Sequence, residues 1–189
     1  MPCLSYQLDT PKAELVKLLQ QSAVEHLTAF RQLEAREFSA TGVLETVTTD
    51  FEALYAYKCG EYQRCLQLST HSVRTLIGVD GISLIFTHPE FVQLMDDDIV
   101  SLTGLALIVD SSRCRDKPLN EISQLTLSLY LMTQCQMKLH HPVTSLTQTL
   151  HYVAVARRKL SVTMFTLDVL LLKLIERKIL LYISGELVQ

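Results

Sequence analysis

The stretch from Thr49 to Leu76, TDFEALYAYKCGEYQRCLQLSTHSVRTL, constrains this chain most. It reads as two short helices joined by a tight turn at Cys59-Gly60-Glu61. Small residues recur at helical spacing on both arms: Ala53 and Ala56 before the turn, Cys65, Ser69 and Ser72 after it. Small side chains at such positions let two helix backbones approach closely, while Phe51, Leu54, Tyr55, Tyr62, Leu66 and Leu68 supply apolar bulk. The rest of the chain is expected to add helix to this hairpin.

Length and composition agree with that expectation. The 189 residues suit a single domain, 1–189, large enough to bury a substantial core. With 48% hydrophobic residues, 20% charged residues, 6 Gly and 5 Pro, the composition excludes disorder and suits helices with few long loops. Mean hydropathy is +0.21, which points to extensive helix burial or to a surface covered by a partner. A net charge of −3 carries no electrostatic footprint for nucleic acid. The basic run Arg157-Arg158-Lys159 reads as a solvated helix end, where cations favour the dipole.

The 5 cysteines (Cys3, Cys59, Cys65, Cys114, Cys135) are odd in number and lack metal-type spacing, so free thiols in a reducing compartment are expected. Met1-Pro2-Cys3 opens without a basic n-region or an apolar h-region, and a cytoplasmic location follows as the expectation. No stretch has the ~20 clean apolar residues that a bilayer span needs. Ile122–Met137 is broken by Ser, Thr and Gln, and the apolar C-terminal segment carries Lys173, Glu176, Arg177 and Lys178.

Taken in order, Thr10-Pro11 starts an amphipathic helix that runs to about Arg36. Residues 38–47 read as a mobile connector, after which Thr48, Thr49 or Asp50 caps the first helix of the hairpin. Ile77-Gly78-Val79-Asp80-Gly81-Ile82 reads as a loop, with a short strand pair as the alternative, and Thr87-His88-Pro89 opens a short helix to about Met95. Asp96-Asp97-Asp98 then precedes the apolar stretch Ile99–Val109 and reads as an N-terminal cap rather than a Ca²⁺ loop. A second mobile connector is expected near 110–120. Glu121–Leu139 reads as a long helix ended by His140-His141-Pro142, and Val143–Lys159 as its antiparallel return. The last helix, Val162 to Ile183, is apolar nearly all round and should be buried on most of its circumference, inside this domain or against something outside it. The expected fold is all-α, with about eight helices in antiparallel hairpins stacked as a short α-solenoid.

Tyr57–Leu68, YKCGEYQRCLQL, resembles a tetratricopeptide repeat. Gly60-Glu61-Tyr62 matches the turn of that family, and Ala53, Cys65 and Ser72 stand where it wants small residues. The sequence departs from the pattern in lacking a tryptophan in the first helix, in placing Glu52 at a usually aliphatic position and in lacking Pro after the second helix. The resemblance covers about thirty residues, or some sixty if the hairpin around His140-His141-Pro142 is a degenerate copy. It implies a non-catalytic scaffold that receives a protein or peptide partner on a helical face.

Candidate chemistry is sparse. Gly78-Val79-Asp80-Gly81 lacks the glycines and Lys of a phosphate loop, and there is no nucleophile-elbow Ser or HExxH pair. Cys135, His140, His141 and His151 lack an i, i+4 chelating pair, so no metal or cofactor is expected. A Cys135–His151 nucleophile would need a cleft that nothing in the sequence supplies. The best binding candidates are Tyr57, Lys58, Arg64 and Arg74, an aromatic beside cations suited to an acidic or carboxylate partner. The alternative is a structural oligomerisation domain that self-associates through its apolar C-terminal helix, or one part of a larger polypeptide.

Overall fold

In the computed structural model, the structure describes residues 42–78, 96–109, 122–160 and 166–186. All of them belong to one compact unit, Gly42–Gln189. The described residues form six helices and no strand: α1 (Gly42–Lys58), α2 (Tyr62–Gly78), α3 (Asp97–Val109), α4 (Gln124–Lys138), α5 (Val143–Leu160) and α6 (Thr166–Glu186). The helices expected within 10–36 and 87–95, the expected 77–82 loop beyond Gly78 and the 110–120 connector lie outside the described residues, while Ile77 and Gly78 belong to α2 rather than to that loop.

Two of the hairpins expected from the sequence are present, and their turns share one chemistry. At the end of α1, Glu61 N–H donates to Ala56 O (2.8 Å) and Gly60 N–H to Tyr57 O (3.1 Å), with Gly60 at φ +80°. At the end of α4, His141 N–H donates to Gln136 O (2.9 Å) and His140 N–H to Met137 O (3.2 Å), with His140 at φ +52°. Both are Schellman caps, in which one left-handed residue lets the chain turn back and satisfies the last carbonyls of the helix. Pro142 follows the second and prevents α4 from continuing.

α1 begins earlier than the sequence suggests. Residues 42–47 are helical rather than a connector, and Asp50 lies in the interior of α1 instead of capping it. In the sequence, Leu44 and Val47 continue the helical spacing of Phe51 and Leu54 back through the Ser/Thr-rich segment. Helix-breaking composition loses to periodicity here.

The centre of the unit is α4. Every residue from Gln124 to Gln136 is buried, so this helix is enclosed on its whole circumference. α2 packs against both α1 and α4; α5 and α6 pack on α4 and on each other; α3 packs on α6. The small residues of the hairpin, Ala53, Ala56, Cys65, Ser69 and Ser72, are all buried, as their spacing predicts. By contrast α6, whose sequence is apolar nearly all round, buries Leu167, Leu171, Leu172, Ile175 and Ile179 and leaves Leu180 and Leu181 exposed. α3 is capped as expected: the Asp96 carboxylate accepts the Asp98 N–H at 3.0 Å.

Two glycines test this backbone account. Gly60→Ala should cost about 1 kcal/mol in urea unfolding, because a Cβ there meets no atom within 4 Å and only the positive φ resists it. Gly104→Ala, in the interior of α3 with equally open space around its Cβ, should be neutral or stabilising by up to ~1 kcal/mol through helix propensity.

Candidate functional site

The four residues singled out in the hairpin do not converge. Tyr57 is half-buried and packs edge-to-face on Tyr62, with ring centroids 5.6 Å apart. Burial, then the nearby Asp96 carboxylate, raises the pKa of its phenol. Lys58 is exposed at the end of α1. Arg64 pairs with Glu61 at 3.3 Å on the open surface of α2, an ion pair worth only tenths of a kcal/mol. Arg74 is exposed ten residues further along α2, about 15 Å from Arg64 in helix rise. These side chains offer a spread surface rather than a pocket.

What the helices do bring together is a set of polar groups around α4. Ser128 Oγ donates to Asp50 Oδ1 of α1 at 2.5 Å, and both residues are buried. Thr149 Oγ1 of α5 donates to Gln136 Oε1 at 2.8 Å. Ahead of α4, the Ser123 N–H and hydroxyl both donate to Asp168 Oδ1 of α6, each at 3.0 Å, while Ser123 caps α4 by accepting the Thr126 N–H. Tyr130 donates its phenol hydrogen to Asp96 Oδ1 at 2.8 Å, with Asp98 Oδ2 at 3.1 Å, at the start of α3. Facing α2, Cys135 lies in hydrogen-bond contact with Cys65, whose sulfur is also 3.7 Å from Ser69 Oγ. Each neighbouring helix thus meets α4 or its cap through its own polar partner.

Asp50 is the chemically unusual member. Burial pushes its carboxyl up to about 7, against the lowering effect of Ser128 and then Ser72. Among the described residues, Asp50 Oδ2 and Ser72 Oγ both have no hydrogen-bond partner, although Ser72 is near enough to act on the carboxyl. The Cys65–Cys135 pair is equally enclosed: its hydrogen bond to Cys65, then burial, pushes the Cys135 thiol up, so it stays protonated and donates to Cys65. Cys135 is fully buried while His151 stands on the exposed face of α5 beside Tyr152. Among the described residues, no group of three His, Cys, Asp or Glu could hold a metal ion, and no helix is long and apolar enough to cross a membrane.

The sequence reading missed Asp50, Ser128 and Tyr130 as parts of one network. In the sequence Asp50 reads as a candidate cap of the first hairpin helix; the signal against that reading is an acid within an apolar period, a position that costs stability unless a partner is buried with it. No known family model, curated protein or solved structure matches this chain.

The Asp50 carboxyl gives a signed pH prediction. Its folded pKa lies above the unfolded value of 3.8, so its contribution favours the folded state fully at low pH and is lost as pH rises toward about 7. From about 4 to 7 that is three pH units, or roughly 4 kcal/mol at most. Asp50→Asn, a neutral isostere, should therefore flatten the pH dependence of stability over this window. Chemical unfolding at pH 5 and pH 8 checks it: the wild type should lose more stability between the two than the variant.

Proposed function

We propose that this helical unit is a protein–protein interaction module, a short stack of tetratricopeptide-like helix pairs with no catalytic role. The observation that supports the reading is the order in which the helices meet. α1 and α2 form one hairpin, α4 and α5 a second with the same Schellman turn, both helices of the first pair pack on α4, and α6 packs on both members of the second pair. Nearest-neighbour packing of hairpins is the logic of an α-solenoid, in which each pair completes the core of the next. α3 stands outside that order, as an insertion between the two pairs. The exposed cations Lys58, beside the Tyr57–Tyr62 aromatic pair, and Arg74, further along α2, suit an extended acidic partner segment. A cytoplasmic location belongs to the same reading, on the odd number of cysteines and their lack of metal-type spacing.

A second reading is self-association, favoured by Leu180 and Leu181, which are 52% and 62% exposed on α6, and by Val100 and Leu105 on α3. Apolar side chains exposed together commonly mark a contact surface. Light scattering on a sizing column across a tenfold dilution separates the two. A monomer near 21.4 kDa supports partner binding, and a dimer that Leu180→Glu with Leu181→Glu dissolves supports self-association. Those two substitutions should leave the melting temperature nearly unchanged, whereas Leu171→Glu, at a fully buried position, should unfold the chain. If the first reading holds, Lys58→Glu with Arg74→Glu should weaken capture of a partner at least tenfold without shifting the melting temperature.

A further inference from the structure

Helix α3 is held unlike the others. Among its described side chains only Ile99 is fully buried, while Val100 and Leu105 are about half exposed at 51% and 47%. Gly104 sits in its interior, where glycine weakens a helix by about 1 kcal/mol relative to Ala. What fixes its start is a polar corner. Tyr130 Oη donates to Asp96 Oδ1 at 2.8 Å and lies 3.1 Å from Asp98 Oδ2. Lys178 Nζ of α6 forms an ion pair with Asp98 and lies 5.6 Å from the centroid of the Tyr130 ring. The hydrogen bond with Lys178 holds the Asp98 carboxyl below its ordinary range, and the Asp96 charge reaches Tyr57 of α1. Tyr57, Tyr130 and Lys178 come from α1, α4 and α6, helices of the stack, and the two carboxylates come from the insertion.

We propose that Tyr130 and Lys178, with Tyr57 at the edge, form a carboxylate-binding site on the helical stack. The Asp96–Asp98 corner of α3 is its internal, displaceable ligand, and an acidic segment of a partner protein competes for the same groups. The inference rests on the reading of the stack as an interaction module and names the chemistry of what it binds. Three features support displacement over a fixed structural contact. The resident ligand is a run of carboxylates, which defines the charge that the site accepts. The pair is partly solvated, with Lys178 27% and Asp98 45% exposed, so a competitor can reach it and salt can weaken it. Among the described side chains of the segment that would leave, Ile99 alone is fully buried, so opening there exposes little of the described apolar surface.

The test uses a fluorescein-labelled peptide of residues 92–103, VQLMDDDIVSLT, added to the full chain. Three proteins are compared: wild type, Asp96→Asn/Asp98→Asn, and the same variant with Lys178→Met. The doubly substituted variant should bind the peptide at least tenfold more tightly than wild type does, because its internal ligand has lost both charges and competes weakly. Lys178→Met should cost at least tenfold of that affinity, and 0.5 M NaCl should weaken it. Equal binding to wild type and the Asn variant, indifference to Lys178→Met, or no saturable binding overturns the proposal. So does failure of the Asn variant to fold, which would make the corner a structural contact. Hydrogen exchange on the wild type supplies a measurement free of substitutions. Amides of Val100–Leu105 should exchange at least tenfold faster than those of Leu129–Cys135, and protection equal to that of α4 overturns the idea. Loss of peptide binding with normal partner capture through Lys58 and Arg74 would sink this site alone and leave the interaction module standing.

Discussion

A helix enclosed on every side has no solvent face on which to place its polar residues. α4 is such a helix, and between Gln124 and Gln136 it carries Gln, Ser, Thr and Tyr side chains. Each unmet hydroxyl or amide there would cost on the order of 1–3 kcal/mol. The fold depends on how those groups are met. Thr133 returns its hydroxyl to Leu129 O within the helix at 2.8 Å, but Ser128, Tyr130 and Gln136 reach across to Asp50, Asp96 and Thr149. The Ser123 cap reaches Asp168, and Cys135 reaches Cys65. Hydrophobic burial drives α4 inward without choosing its rotation or its neighbours, because it is non-directional. The polar pairs choose them. A different rotation of α4 would strand several of these groups at once.

The same arrangement connects stability to the proposed activity. Contacts through Ser128, Gln136 and Cys135 are buried, short-range and insulated from salt. The contact through Tyr130 differs, because its carboxylate partners extend to the surface and are shared with Lys178. One spoke of the network is therefore open to exchange while the others hold the helices in register. That asymmetry lets a bound segment leave without unfolding the unit that received it.

Much of the architecture was legible in the sequence because it is carried by local signals. Gly60 announced a left-handed turn, Pro142 a helix end, Asp96 a cap, and the small residues Ala53, Cys65 and Ser72 a close hairpin. His140 was less visible: its positive φ is imposed by the Schellman turn, and its Nδ1 lies 3.3 Å from the Tyr182 hydroxyl, a partner that no local pattern reveals. The order of burial was hidden for the same reason. Hydropathy ranks α6 above α4, yet α4 is the enclosed helix and α6 exposes Leu180 and Leu181. Polar residues read as surface until their partners, 78 positions away for Ser128 and Asp50, are placed beside them. The candidate site suffered most, since Tyr130 and Lys178 become a pair only when α4 and α6 pack.

The central claim is that buried polar pairs, rather than apolar area alone, fix the position of α4. It is tested most directly by a double-mutant cycle on Asp50→Ala and Ser128→Ala, read by urea unfolding at pH 6. The account predicts a coupling energy of about 1–3 kcal/mol, with the double variant destabilised by clearly less than the sum of the two singles. Additive effects, with coupling near zero, would contradict it and leave apolar packing as the only force that sets the helices around α4.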